Sequence, residues 1–300
     1  MNKTIRIGTR GSALALTQAA MTSRLLTEAW PDLRVETVVI TTSGDRMQVS
    51  DDKPAESTKA IFTKEIEEAL LENRVDLAVH SAKDLGVEMP DGLGLSGVLT
   101  RAPVHDVVIS REPLDVLLKK PEPLLATGSL RRRYQWQERH PKARFVPVRG
   151  NIDTRIRKLR ENHDWDGILL AHAGLERLRP DVKGLLVSPL DTSFILPAPC
   201  QGAIALQARN SDSETRRLIE RISHRPSMVR VLAERAFLEK LGAGCHAPVG
   251  ALARIYDGVC LHLSAVFYKA EGSPGIRKTT SGSALMAADL GKRLADQILS

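Results

Sequence analysis

Three times in this sequence a short apolar run ends in a glycine, serine, threonine or asparagine turn that carries arginine, and a helix-forming stretch follows at once. The segments are Gly8-Thr9-Arg10-Gly11-Ser12, Thr127-Gly128-Ser129-Leu130-Arg131-Arg132 and Arg149-Gly150-Asn151-Ile152-Asp153-Thr154-Arg155. Around the first turn, Ile5 and Ile7 alternate with Arg6 as a strand does. Leu14, Met21 and Leu25 then fall at i, i+7 and i+11, one face of a helix that stops near Trp30-Pro31. Val38-Val39-Ile40 reads as the next strand, and Phe62, Ile66, Ala69 and Leu70 as a second helix. Val75, Leu77 and Val79 form a third strand by alternation, running straight into His80-Ser81-Ala82-Lys83-Asp84. Strands alternating with helices predict βαβ units, a largely parallel sheet and the α/β class.

The pattern restarts near residue 101. Leu124-Leu125-Ala126, Phe145-Val146-Pro147-Val148 and Ile168-Leu169-Leu170 each lead into a turn and a helix, which predicts a second α/β domain. The C-terminal third differs. Val229, Leu232, Ala233, Ala236 and Phe237 make a helical stripe, and Gly242-Ala243-Gly244-Cys245-His246 a loop. Val259, Leu261, Leu263, Ala265 and Phe267 alternate as a strand, and Leu290, Leu294 and Ile298 mark a last helix. A small α+β domain is expected there. Residues 43–58 are polar and irregular, the composition of a lid or a disordered segment.

Composition narrows the function classes. Of 300 residues, 42% are apolar and 26% charged, enough to build a core and too mixed for intrinsic disorder. The excess of 43 Lys and Arg over 36 Asp and Glu favours anionic partners. Aromatics at 4% are thin for single-stranded nucleic acid, which relies on base stacking. No stretch approaches the roughly 20 apolar residues of a membrane helix. Residues 1–4 lead into a strand without the apolar region of a signal peptide, so a cytoplasmic location is expected. The cysteines Cys200, Cys245 and Cys260 lack CxxC spacing and predict neither a disulfide framework nor a zinc site. His80, His105, His172 and His246 show no ligand spacing, and no metal is assigned.

A helix N-terminus offers unpaired N–H groups and the positive end of the helix dipole. Several such turns at the carboxyl ends of parallel strands make an anion site, and arginine adds a planar fork matched to carboxylate or phosphate. The competing reading is ordinary N-capping by Ser12, Ser129 and Asn151 with the arginines in solvent. None of the turns matches GxxxxGK[ST] or GxGxxG, so nucleotide binding has no motif. Asp84, beside Lys83 at a strand end, is placed to hold a polarised N–H, stabilise a developing cation or pass a proton to a leaving amine. Cys245 lies in a glycine-rich loop that would favour access. Cys200 and Cys260 read as structural.

Taken together, the segments RIGTRGSALAL, FTKEIEEALLENRVDLAVHSAKDL, GSLRRR, VRGNIDTRIRKL, AGLERL, LPAPCQGA and AERAFLEKLGAGCHAPVG resemble the porphobilinogen deaminase (hydroxymethylbilane synthase) family over nearly the whole chain. The resemblance implies two α/β domains like those of periplasmic binding proteins flanking a cleft, plus a small C-terminal α+β domain. The boundaries expected are 1–98 with 196–217, 99–195, and 218–300, with a mobile loop at 43–60. It implies a transferase that condenses four porphobilinogen molecules head to tail, loses ammonia and releases hydroxymethylbilane. A dipyrromethane cofactor is implied, joined by a thioether to Cys245. Asp84 and Lys83 match the catalytic positions. Lys83, Asp84, Thr127, Ser129, Arg131, Arg132 and Asn151 are expected to hold the cofactor. Arg10, Ser12, Ser81, Lys59, Phe62, Arg149, Arg155 and Arg177 are expected to bind substrate.

The chain departs from the family pattern at three places. Ser57-Thr58-Lys59-Ala60 stands for a glycine-rich stretch, Thr127-Gly128-Ser129 for Thr-Ser-Ser, and Lys83-Asp84-Leu85-Gly86 for a motif ending in proline. Activity is expected to survive them. Small-molecule substrate, a monomer, and no nucleic-acid or membrane partner complete the reading. The alternative is a divergent paralogue that binds pyrroles or other anions with little or no turnover.

Overall fold

The computed structural model describes residues 3–43, 63–242 and 247–300. The chain divides into two units, residues 1–102 with 203–232, and residues 103–202 with 233–300.

In the first unit the chain lays down β1 (Lys3–Thr9), α1 (Ala13–Ala29), β2 (Leu33–Val39), α2 (Lys64–Leu71), β3 (Leu77–Ser81) and β4 (Leu93–Val98). In the second it forms β5 (Asp106–Ser110), α3 (Leu114–Lys119), β6 (Leu124–Ala126), α4 (Leu130–Gln137), β7 (Arg144–Val146), α5 (Ile152–Glu161), β8 (Gly167–Ala171), α6 (His172–Leu178) and β9 (Leu186–Pro189). The chain returns to the first unit through β10 (Ile204–Arg209) and α7 (Ser213–Ile222). Helix α8 (Arg225–Leu241) carries it onward. The C-terminal part is β11 (Val249–Tyr256), β12 (Cys260–Phe267), β13 (Ile276–Ser283) and α9 (Ala287–Leu299).

The first unit's sheet has the order β2-β1-β3-β10-β4, with β1 parallel to β2 and β3, and β10 antiparallel to both its neighbours. The second unit repeats the scheme as β7-β6-β8-β5-β9, with β5 the antiparallel strand. In each sheet the reversed strand is the first one laid down after the chain changes unit. The sequence reading catches β1, the end of β2, β3, β6, β7 and β8 and leaves out β4, β5, β9 and β10; with β5 and β10 reversed, both sheets are mixed.

Both faces of each α/β sheet are covered. Ile5, Ile7, Val79 and Leu206 pack with Ala19 and Leu26 of α1 and Ile219 of α7, while Ala78 packs on the other face with Ile66 and Leu70 of α2. In the second unit, Ile109 and Ile168 pack with Ile156 and Leu159 of α5, and Leu125 and Leu169 with Leu117 and Trp136. Each fully buried side chain of this size contributes about 1.5–3 kcal/mol. The meander β11-β12-β13 shares a cluster of Leu196, Leu252, Val266 and Tyr268.

Helix α9 lies against α8 at a glycine. A Cβ on Gly291 would sit 2.3 Å from the Ala233 carbonyl oxygen and 2.8 Å from the Phe237 nitrogen, both main-chain atoms of α8. Alanine is the better helix former by about 1 kcal/mol, yet it can fit only by separating the helices. Gly291→Ala is therefore expected to lower stability by about 1–3 kcal/mol, read as a drop of several degrees in the thermal midpoint. A rise would show that the helices do not meet here.

Candidate functional site

In the first unit the site grows from the carboxyl ends of two neighbouring parallel strands. β1 ends at Thr9, and the chain turns through Arg10 and Gly11 to Ser12, whose Oγ accepts from the Ala15 N–H at 3.3 Å and caps α1. β3 ends at Ser81, after which the Asp84 N–H donates back to the Ser81 carbonyl at 2.9 Å and closes a turn. The Ala82 N–H donates to the Ala203 carbonyl at 3.0 Å, anchoring that turn to the strand beyond. Ser81 is held from the helix side: the buried Gln18 amide donates to its Oγ at 2.9 Å and accepts from it at 3.2 Å. Arg10, Ser12, Gln18, His80, Ser81 and Asp84 line one pocket. Asp84 is exposed, and Lys83 beside it is half-buried.

The second unit contributes two helix starts on adjacent parallel strands. After β6, the Thr127 Oγ1 accepts from the Ser129 N–H at 3.2 Å, and Ser129 caps α4 through the Arg132 N–H at 3.4 Å. After β7, the Asn151 Oδ1 accepts from the Thr154 N–H at 2.8 Å and caps α5. Arg155 reaches back so that its Nε donates to the Gly150 carbonyl at 2.8 Å, while Arg149 is exposed. Capping by Ser12, Ser129 and Asn151 is thus present at all three turns, and the same geometry aims the first N–H groups of the helices beyond the strand ends. Gly128 has a local reason. A Cβ there would come within 3.3 Å of the Val148 carbonyl oxygen.

The arginines divide into two groups. Arg131 and Arg132 turn inward, 4% and 6% exposed, onto Asp106, which is fully buried. Arg131 Nη1 donates to Asp106 Oδ2 at 2.7 Å and to the Leu196 carbonyl at 2.7 Å. Arg132 Nη2 donates to Asp106 Oδ1 at 2.8 Å, and its Nη1 to the Leu169 carbonyl at 2.9 Å. Gln201 adds a third donor to Asp106 at 2.9 Å. Burial alone would raise the Asp106 pKa, but the two guanidiniums outweigh it and hold the carboxyl far below the usual carboxylate range. Burial lowers the pKa of Arg131. Arg177 is also directed into the protein, donating to the Gly202 carbonyl at 2.6 Å.

Asp106 and Gln201 are not legible in the sequence, where Arg131 and Arg132 read either as ligands of a bound anion or as solvent-facing. A lone aspartate opening an apolar run, Asp106-Val107-Val108-Ile109, was the one local signal. Gln18 was hidden as a polar residue on an apolar helix face. Lys59, Phe62 and Cys245 lie outside the described residues.

The donor set suits a group rich in carboxylates. Asp106 balances only one of two buried guanidiniums, and Arg132 Nε is buried without a hydrogen-bond partner among the described residues. Arg149, Arg155 and two capped helix starts add positive charge and N–H donors on the same sheet. Among the described residues, no group of three or more His, Cys, Asp or Glu side chains could hold a metal ion, and no helix is long and apolar enough to cross a membrane.

Comparison with known proteins agrees with this chemistry. Residues 5–217 match the family described as porphobilinogen deaminase, dipyromethane cofactor binding domain, and residues 228–300 match the porphobilinogen deaminase C-terminal domain. The porphobilinogen deaminase of Thermus thermophilus is 41% identical over 297 residues, covering 99% of this chain and 96% of the relative. That of Syntrophomonas wolfei is 39% identical over 298 residues, covering 99% and 95%. Among solved structures, the periplasmic aliphatic sulphonate binding protein SsuA from Escherichia coli has a TM-score of 0.41 at 13% identity, covering 79% of this chain and 70% of that one.

Removing the carboxylate from the buried cluster leaves two guanidiniums facing each other. Asp106→Asn is expected to cost about 3–5 kcal/mol at neutral pH, measured by urea unfolding. Because the folded-state pKa is depressed, this contribution is present above the unfolded carboxylate value of about 4 and is lost as pH falls toward the folded value. The gap between wild type and variant should therefore be constant from pH 5 to 8 and shrink below about pH 4. A variant as stable as wild type would remove the cluster from the fold's support.

Proposed function

The chain belongs to the porphobilinogen deaminase family, and from that membership we propose how its residues divide the work. It is a hydroxymethylbilane synthase, a transferase of tetrapyrrole biosynthesis that joins porphobilinogen units with loss of ammonia, and it binds a dipyrromethane cofactor. Bound, that cofactor supplies the pyrrole carbon to which the first substrate is joined. Cys245 is the residue that anchors it through a thioether. Thr127, Ser129, Arg131, Arg132, Asn151 and Lys83 hold its carboxylates, for which the surplus positive charge and the Arg132 Nε are suited.

Asp84 is the catalytic carboxylate, and the observation that carries this role is the pocket it shares with Arg10, Ser12 and Ser81 at the ends of β1 and β3. Each porphobilinogen brings an acetate and a propionate. Arg10, with Arg149, Arg155 and Arg177, receives these groups as charge-assisted hydrogen bonds, and Ser12 and Ser81 add hydroxyls. Lys59 and Phe62 complete the set of substrate-binding residues. With the substrate so oriented, the Asp84 carboxyl donates its proton to the aminomethyl nitrogen. The C–N bond breaks, its electron pair leaves with ammonia, and the carboxylate left behind stabilises the cation on the substrate carbon. Working domains of 1–98 with 196–217, 99–195 and 218–300, and a cytoplasmic monomer acting on a small molecule, complete the assignment.

Intact-mass spectrometry separates anchor from catalyst. Wild type is expected to exceed the sequence mass by two linked pyrrole units, and Cys245→Ser to lack that excess. Asp84→Asn should keep the excess while kcat falls about 10²–10⁴-fold. An unmodified wild-type chain, unchanged after incubation with porphobilinogen, would overturn the assignment of Cys245. Full turnover by Asp84→Asn would remove that carboxylate from the reaction.

A further inference from the structure

Behind the pocket in the first unit lies a buried polar chain that the reaction above does not use. Glu67 on α2, Gln207 on β10 and His80 on β3 are 6%, 0% and 5% exposed. Thr63 Oγ1 donates to Glu67 Oε2 at 3.5 Å, Gln207 Nε2 donates to Glu67 Oε1 at 2.9 Å, and His80 Nε2 lies 3.0 Å from Gln207 Oε1. His80 pairs with Ala205 across the antiparallel β3–β10 ladder, so Gln207 two residues on is its diagonal neighbour.

The chain has a direction. Gln207 donates through Nε2 to Glu67 Oε1, which accepts. The planar amide then presents its oxygen to His80, and an amide oxygen can only accept. His80 Nε2 must therefore carry the hydrogen. The imidazole is fixed in both tautomer and orientation at the last buried position of β3, and it lines the same pocket as Asp84. The next residue, Ser81, is held by the other glutamine, Gln18, from α1. Two amides thus pin the two residues from which the turn to Asp84 starts, and that turn is closed by the Asp84 N–H on the Ser81 carbonyl at 2.9 Å.

We propose that Glu67 and Gln207 are positioning residues for the condensation, acting through His80 in its Nε2–H form to fix the strand end that carries Asp84. The proposal rests on the assignment of Asp84 as the catalytic carboxylate. Small misplacement of a reacting group lowers turnover steeply, so the effect falls on kcat rather than on substrate capture.

The test uses the cofactor-loaded full-length protein. Nitrogen-15 spectra of labelled histidine, with the His80 signals identified by their loss in His80→Gln, are expected to show a protonated Nε2 and a bare Nδ1 at about neutral pH. Gln207→Leu should populate both tautomers and lower kcat about 10-fold, with KM within about 2-fold and the cofactor mass retained. Glu67→Gln keeps the shape and lets the amide chain reverse, so it should show mixed tautomers and an intermediate kcat; it decides the matter if Gln207→Leu does not fold. A protonated Nδ1 in wild type, or a kcat within about 2-fold of wild type in both variants, would overturn the proposal. If Asp84→Asn kept its turnover, the catalytic assignment would fall. The tautomer would still report whether the chain of hydrogen bonds has the stated direction.

Discussion

The second unit is organised around one carboxylate that water does not reach. Asp106 opens β5 and is gripped by consecutive guanidiniums from the first turn of α4 and by the Gln201 amide. The same arginines also bond the Leu196 and Leu169 carbonyls, so one charge cluster ties together β5, α4, β8 and the segment before Gln201. Such a cluster is weak evidence for net stability, because desolvating three ions costs much of what their attraction returns. Its effect is on register. Helix α4 cannot rotate or slide without leaving a buried charge uncompensated, and Thr127 and Ser129 at its start are held in place with it.

This explains why the sequence revealed the turns and not the direction of their arginines. Strand β1, helix α1 and the turns after β6 and β7 are local features, set by periodicity and by residues within one or two turns of the chain. They were legible. Whether Arg131 and Arg132 face solvent, a ligand or the interior depends on an aspartate 25 residues earlier, and no local pattern announces that. The reversed strands were hidden for a related reason. β10 reads as an ordinary apolar run, and its place between β3 and β4 is set by pairing with residues more than 100 positions away. β13, Ile276–Ser283, has few apolar residues because one side of the meander is largely exposed, so it carries almost no alternation to detect.

The positive balance of the chain is therefore two quantities. Part of it is internal: Arg131, Arg132 and Arg177 satisfy Asp106 and main-chain carbonyls. Part of it, such as Arg149, stays at the protein surface. A count of net charge does not separate the two, and the fold does. The two contributions are coupled at α4, where the first turn buries its guanidiniums while the helix start above them presents N–H groups. The internal arginines thus hold the helix start in place.

The first unit holds its strand end by different means. Around β3 the last two residues are fixed by Gln18 and Gln207, both neutral amides with donor and acceptor in one rigid plane. A charged clamp so close to Asp84 would shift the energy of its carboxylate by Coulomb interaction across a few ångströms, an effect larger in a protein interior than in water. An amide fixes orientation without adding a charge. The acidic member of the His80 chain, Glu67, is set back one hydrogen-bonded residue from the pocket wall. Distance and the intervening amide let it impose direction on His80 while Arg10 and Asp84 remain the charged side chains lining the pocket. That arrangement fixes the strand end before Asp84 through neutral amides.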